Sequence, residues 1–173
     1  EVVSSPLYYN SNRMSHGQFQ NDVDVVLDLA IHDLSIINFL YPNLILDECQ
    51  TIKNYHVNDM ANQAFINLKF DNGFTATINC NWVSPVKIRE ITITGKRKSI
   101  LYDDTSVEKI REYSHNDIGT NFSPADMKDI YIPSIADSES LYNAREHFLE
   151  CMENNVKPKT SIYESKKIMS WIL

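Results

Sequence analysis

Apolar residues dominate the stretch from Val25 to Leu40, which contains no glycine or proline. This pattern predicts one uninterrupted helix. At about 100° per residue, one narrow arc of that helix carries four side chains, Asp28, His32, Ser35 and Phe39. Apolar side chains occupy most of the remaining circumference. We therefore expect a helix that is buried on several sides and turns one polar stripe toward a cavity or a partner domain.

From about Glu48 to Tyr113 the apolar period changes to two, which predicts β-strands. Two alternating runs flank Asp71-Asn72-Gly73, a sequence typical of a tight turn, so a β-hairpin is predicted there. A change of phase between Ile88 and Ile91 predicts a β-bulge near Arg89-Glu90. Further short strands are expected at 100–104 and 107–113, with an edge strand at 127–132.

The two ends of the chain carry other patterns. A possible strand at the start leads into the polar segment 10–17, which has no regular apolar period and is expected to be a loop. A second helix is expected to begin at Ser138 and to end near Asn154-Asn155. A third helix is expected from Ser161 to Leu173, where the chain stops before any helix-ending signal. Because the chain also opens with Glu1 rather than Met, we expect a fragment of a longer protein.

Composition narrows the class of protein. The 173 residues are 43% hydrophobic and carry a net charge of -7, which favours one soluble domain and disfavours nucleic acid as a partner. No apolar run reaches the roughly 20 residues of a membrane span, and no signal peptide is recognisable, so an intracellular, cytoplasmic protein is expected. The three cysteines have no zinc-ligand spacing, and no metal is expected.

Asp28 and His32 are the candidates for chemistry, because a carboxylate and an imidazole are costly to bury without partners. Asp28 can hold the imidazole in one tautomer, which leaves the other ring nitrogen free to exchange a proton with a substrate near neutral pH. The alternative is a structural Asp–His pair that closes a helix. Asp33 lies about 100° away from His32 on the helix and is expected to have a structural role.

Three segments, in this order, resemble the C-terminal domain of the Gfo/Idh/MocA oxidoreductase family. The first is Asp22–Leu34, which resembles the family helix with an Asp-x-x-x-His-Asp signature. The second is the hairpin of Phe70–Ile78 with Trp82 beyond it, and the third is Glu146–Cys151, followed by Pro158. The helix sequence is most similar to the nucleotide-sugar 3-dehydrogenases of the family.

The resemblance implies an α+β fold, with a mainly antiparallel sheet, helices packed on one face and the other face open for oligomerisation into a homodimer or homotetramer. It makes residues 1–173 a single C-terminal substrate and oligomerisation domain, without the N-terminal Rossmann domain and with a truncated last helix. NAD or NADP would bind to that missing domain, and no cofactor is expected in this fragment. No Gly-x-Gly-x-x-Gly is present among its four glycines.

The resemblance also implies roles for particular residues. His32 would be the acid or base on a secondary hydroxyl of a sugar, nucleotide sugar or polyol, and Asp28 would orient or tune it. Arg13 and His16, in the segment before the helix, either contact a substrate phosphate or carboxylate or are solvated. Packing or solvated roles are expected for Trp82, Lys87 and Arg89.

Two other functions stay open at this point. One is a non-catalytic sugar-binding or dimerisation module, since a fold can persist without its chemistry. The other is a metal hydrolase that uses Asp28, His32 and a distant third ligand. If the chain is the substrate domain of an oxidoreductase, we expect this fragment to be inactive by itself, because the cofactor domain is missing.

Overall fold

A computed structural model of the chain describes residues 3–17, 19–116, 127–135 and 139–173. Within these ranges the elements, in chain order, are β1 (Pro6–His16), a π-helical turn (Val26–Ala30), α1 (Ile31–Leu40), β2 (Leu46–Asn54), β3 (Gln63–Phe70), β4 (Thr75–Asn81), β5 (Val83–Gly95), β6 (Lys98–Asp103), β7 (Ile110–His115), β8 (Met127–Tyr131), α2 (Ser140–Asn154) and α3 (Ile162–Met169).

The strands form one sheet in the order β2-β3-β4-β1-β5-β6-β7-β8. Strand β1 is parallel to β4, and each of the other neighbouring pairs is antiparallel. The first strand of the chain therefore lies near the middle of the sheet. The prediction of an α+β fold with a mainly antiparallel sheet is confirmed.

The β3–β4 hairpin forms at the predicted turn. Gly73 adopts φ +82°, a conformation that favours glycine. Alternate side chains of both strands face a common core, and all of these are buried: Ala64, Ile66, Leu68, Phe70, Ala76, Ile78 and Cys80. The intervening Thr75 and Thr77 are exposed on the other face. The period of two in the sequence thus corresponds to one covered and one open face.

Helices cover the core face of this part of the sheet. The α1 side chains that pack inward include Leu34 and Ile37, both 0% exposed. Helix α3 packs beside α1, and Trp171, just beyond α3, meets the ring of Phe70 edge-on at a centroid distance of 5.3 Å. No helix in the described ranges has both the length and the apolar character to cross a bilayer.

The polar segment at 10–17, predicted to be a loop, is instead most of β1. Its core-facing side chains are Tyr9, Ser11 and Arg13, so the buried face of this strand is itself polar. The segment has no apolar period because Tyr9 and Arg13 on that face donate hydrogen bonds to Asp33 of α1 instead of making only apolar contacts. A prediction based on hydrophobicity alone was wrong for this reason.

The bulge predicted near Arg89-Glu90 is also wrong. The β1–β5 register is continuous there; it shifts between the pairs Pro6↔Gly95 and Tyr8↔Thr94, and again between Met14↔Ile88 and His16↔Val83. Ile91 is 5% exposed on the core face, whereas Val86 is 60% exposed. The change of phase in the sequence therefore records apolar side chains on opposite faces of one strand.

The helical stretch from Val25 to Leu40 forms, but it begins with the π-helical turn, whose hydrogen bonds span five residues. The wheel of 100° per residue does not apply across that turn, so Asp28 cannot be placed on the arc of His32 by counting. Asp24 starts the stretch, because its Oδ1 accepts from the backbone N–H groups of Val26 and Leu27, both at 3.1 Å.

The second and third predicted helices correspond to α2 and α3. The predicted start at Ser138 lies outside the described residues, and the predicted end is confirmed by Asn155, which caps α2 with φ 51°. The third helix starts where it was predicted, with Ser161 as its N-cap in a capping box with Glu164, but it ends at Met169 rather than continuing to Leu173. Within α2 only Cys151 is buried, and Phe148 is 62% exposed.

We predict that Asp33→Ala lowers the free energy of unfolding of the protein by about 3–5 kcal/mol, because it leaves a partly buried guanidinium without its counter-charge. Asp33 is 0% exposed and accepts hydrogen bonds from Arg13 and Tyr9. Urea unfolding monitored by circular dichroism measures the change. Asp59→Ala, at an exposed carboxylate, is the matched control and should stay within about 0.5 kcal/mol. Equal effects of the two substitutions would contradict the role given to Asp33.

We also predict that a thiol reagent distinguishes the buried cysteine of β4 from the exposed cysteine of β2. Burial raises the pKa of Cys80 to about 12, so the native thiol should resist iodoacetamide at pH 8. Cys49 on β2 is exposed and should react readily. Peptide mass spectrometry before and after unfolding in urea measures both. Labelling of native Cys80 at the rate of Cys49 would contradict the packing of β4 against the helices.

Candidate functional site

His32 lies at the second position of α1 and is exposed. Its successor Asp33 is fully buried, so the backbone at this point is held while the imidazole remains accessible. In an α-helix, residues four apart are neighbours on one face, so His32 is followed along that face by Ile36 and Leu40. An accessible imidazole at one end of an otherwise apolar row can exchange a proton with a molecule lying along that row.

A buried polar network fixes α1 to the middle of the sheet. The Oδ1 atom of Asp33 accepts from the hydroxyl of Tyr9 at 2.8 Å, and its Oδ2 accepts from Nε of Arg13 at 2.7 Å. Burial, together with the charge of Asp33, raises the pKa of Tyr9 well above its ordinary value. Burial alone would lower the pKa of Arg13, but the hydrogen bond and charge of Asp33 outweigh it and raise that pKa. Arg13 is therefore a charged partner of Asp33, with 15% of its side chain exposed.

Asp28 is half-buried in the π-helical turn, and its Oδ2 accepts from Nε1 of Trp82 at 2.9 Å. Within the described residues, no hydrogen bond joins Asp28 to His32. The carboxylate is thus oriented by an indole from the end of the hairpin rather than by the imidazole four residues on. Trp82 packs, as expected, since it is 2% exposed, but its N–H also positions a candidate site residue.

His16, at the end of β1, is exposed and belongs to a row of aromatic rings. Its ring meets Phe19 edge-on at 6.4 Å, and Phe19 meets Trp82 edge-on at 6.2 Å. Gly17 lies so close to this row that a Cβ atom there would be 3.1 Å from Cδ1 of Trp82. The structure therefore links His16 and Asp28 through Phe19 and Trp82, and it places Arg13 with Asp33 instead.

A pocket of about 560 Å³ lies beside α1, over the half of the sheet formed by β5 to β8. Its lining includes Arg13, which connects the pocket to Asp33 and hence to the start of α1. Most of the lining is apolar, from Ile36, Leu40, Ile91, Ile93, Ile100 and Ile110. The volume is typical of sites for small molecules.

The polar side chains of the pocket include a hydrogen-bonded cluster centred on Asp104. Asp104 accepts from Tyr102 at 2.9 Å, from Lys109 at 3.0 Å and from Arg89 at 3.4 Å. These donors, with Lys109 the strongest influence, lower the pKa of Asp104, while burial and then the bond to Asp104 raise the pKa of Tyr102 to about 12. At neutral pH the pocket therefore presents an ionised carboxylate and a protonated phenol.

Sequence reasoning did not find this pocket. It expected Arg89 on the wet face of a strand, yet Arg89 lines the pocket. A signal was present, because Arg89, Ile91 and Ile93 alternate and must share one face of β5. The contributions of Tyr102, Asp104 and Glu112 carried no comparable signal, since they depend on how β6 and β7 are placed beside β5.

The described residues contain no group of three or more His, Cys, Asp or Glu side chains placed to hold a metal ion. They also offer no site that fits a dinucleotide. The helical segment begins with Asp24 as its cap rather than with a glycine-rich turn, and the parallel pair β1–β4 is not a strand–helix–strand unit joined at such a turn.

Comparison with known proteins agrees with this geometry. The family model of the GFO/IDH/MocA C-terminal domain matches residues 6–101, more than half of the chain. UDP-N-acetylglucosamine 3-dehydrogenase GnnA from Acidithiobacillus ferrooxidans has a similar structure, with a TM-score of 0.82 at 18% identity, over 96% of this chain and 52% of that one. An NAD-binding protein from Listeria innocua gives 0.74 at 16% identity, over 96% and 51%. The WlbA dehydrogenase from Bordetella pertussis, in complex with NADH and UDP-GlcNAcA, gives 0.68 at 13% identity, over 94% and 50%.

The chain thus spans about half the length of these solved structures. None of the curated protein sequences matches it. At these identities the structures establish the fold, and the family model establishes the kinship. The chain belongs to the Gfo/Idh/MocA family of oxidoreductases and corresponds to the C-terminal domain of its members.

Proposed function

We propose that this chain is the substrate-binding and proton-transferring domain of an NAD(P)-dependent dehydrogenase that acts on a secondary alcohol of a sugar, nucleotide sugar or polyol. The observation that carries the proposal is the position of His32, an exposed imidazole on α1 that lies one helical turn before Ile36, a residue lining a pocket for a small molecule. Membership of an oxidoreductase family supports the reaction class. The nucleotide-sugar dehydrogenases among the similar structures support the substrate class.

The chemistry requires a base at this position. Oxidation of a secondary alcohol to a ketone removes a hydride from the carbinol carbon and a proton from the hydroxyl oxygen. His32 takes that proton on one ring nitrogen, and in the reverse direction the imidazolium returns it to the carbonyl oxygen. Without a base, the departure of the hydride would leave a protonated carbonyl of high energy.

The neighbouring residues have supporting roles in this proposal. The negative charge of Asp28, held in place by Trp82, stabilises the imidazolium formed on His32. Asp33 fixes α1 against β1 and thereby the height of His32 over the sheet. The proposed substrate contacts are Arg13, which lines the pocket, and His16, at the exposed end of β1.

In this proposal the hydride acceptor would be NAD or NADP, and residues of a separate N-terminal domain of the full-length protein would hold it. Residues 1–173 then form one C-terminal domain, which is inactive on its own. The exposed polar face of β3 and β4, with Thr75 and Thr77, is the surface proposed to join subunits into a homodimer or homotetramer. The proposed location of the enzyme is the cytoplasm.

We predict that His32→Gln in the full-length protein lowers kcat by about 10²–10⁴-fold, because the amide cannot accept the hydroxyl proton. Reduction of NAD(P) with a panel of cyclic polyols and sugars, followed at 340 nm, measures the change once a substrate is found. His56→Gln is the matched control, since His56 is exposed between β2 and β3, away from the pocket, and should keep wild-type turnover. Unchanged turnover of the His32 variant would refute the proposed base.

We predict a smaller loss for Asp28→Asn, about tenfold in kcat/KM, because the substitution removes one stabilising charge while the base remains. The amide oxygen of the variant can still accept from Nε1 of Trp82, so the fold should be preserved. The same assay, with thermal unfolding as the check on folding, tests the charge itself. A variant with wild-type kcat/KM would show that Asp28 has only a structural role.

A further inference from the structure

We infer that the pocket beside α1 binds a neutral, apolar substituent of the substrate, such as an acyl or aryl group carried by the sugar or polyol ring. The inference rests on the proposed function for the position of the reacting carbinol, and it adds the chemical nature of the group next to it. If the inference holds, the diphosphate of a nucleotide sugar does not bind in this pocket.

The first observation is that the walls of the pocket are mostly apolar. Ile91 and Ile93 on β5 form the floor, and both are nearly buried. Ile100 of β6 and Ile110 of β7 continue this floor along the sheet, and Ile36 and Leu40 of α1 line the pocket from the helix. A hydroxylated ring alone would leave its donors and acceptors unpaired against such a surface, which costs free energy. An apolar group gains from the same contact.

The second observation is that every charged side chain in the described lining is already part of an ion pair. Arg13 is paired with Asp33 at 2.7 Å, and Glu112 with Lys98 at 2.7 Å. Arg89 shares Asp104 with Lys109. Sites for phosphate groups usually expose cationic side chains or backbone N–H groups at a helix N-terminus. Only the C-terminal part of α1, with Ile36 and Leu40, lines this pocket.

His32, the proposed base, lies one helical turn before the pocket residue Ile36. His32 and Ile36 are four residues apart within α1, so their Cβ atoms lie about 5–6 Å apart. A substrate whose hydroxyl meets the imidazole therefore extends its neighbouring substituent over Ile36 and onto the isoleucine floor. The pocket is large enough for a phenyl or short acyl group, and its paired polar rim leaves room for ring hydroxyls to meet Tyr102 and Arg89.

The test compares sugars that differ only in an apolar group, in the full-length protein with oxidised cofactor present. Methyl and phenyl glycosides of glucose, galactose and mannose are titrated, with UDP-glucose alongside, while the ¹³C-labelled methyl groups of isoleucine are followed by NMR. At least one phenyl glycoside should bind about tenfold or more tightly than its methyl counterpart. It should shift the methyl signals of Ile91, Ile93, Ile100 and Ile110, and UDP-glucose should leave those signals unchanged.

Ile110→Asn should remove the preference for phenyl over methyl, and Ile52→Asn is the matched control because Ile52 is exposed on the edge strand β2, at the other end of the sheet. The wild-type methyl shifts decide the question even if the Ile110 variant fails to fold. Equal affinities, unshifted pocket isoleucines or shifts caused by UDP-glucose would each overturn the inference. A phenyl glycoside that occupies the pocket, in a protein that oxidises no sugar or polyol, would refute the proposed function alone.

Discussion

The buried carboxylate of Asp33 is the interaction on which the rest of the site depends. It accepts one hydrogen bond from Tyr9 and one from Arg13, and both donors come from the central strand of the sheet. A helix packed only by apolar contacts could slide or rotate at small cost. An ion pair with a fully buried carboxylate resists such movement, since movement would leave a desolvated charge without its partner. The polar network therefore fixes both the rotation of α1 and the position of its next residue, His32.

The two halves of the sheet have different structural roles. The half formed by β2, β3 and β4 is covered by α1 and α3 and holds most of the buried apolar side chains, including Phe70 and Trp171. The half from β5 to β8 carries the pocket, whose floor is also apolar. Strand β1 lies between the two halves, and its polar inner face supplies Arg13 to both the network and the pocket. The site lies where the covered half ends.

The candidate catalytic residues are held by different partners from those suggested by their spacing. Asp28 is bonded to Trp82, which comes from the end of the hairpin, and His32 is held through its neighbour Asp33. The π-helical turn that contains Asp28 changes the geometry of the helix just where the site begins. Such turns occur often at functional sites, because they alter the direction of a few side chains without breaking the helix. The proposed electrostatic role of Asp28 needs no direct bond to the imidazole.

The sequence by itself determined the hairpin at Gly73, the helical stretch from Val25 to Leu40 and the Asp-x-x-x-His-Asp signature, because each depends on local periodicity or on neighbouring residues. It did not determine that segment 10–17 belongs to a central strand, since the apolar period is missing where a buried face carries polar side chains that bond to another element. Nor did it determine the pocket or the partner of Asp28. Those features join residues far apart in the chain, such as Arg13 with Asp33 and Asp28 with Trp82, and only the tertiary structure brings such residues within hydrogen-bonding distance.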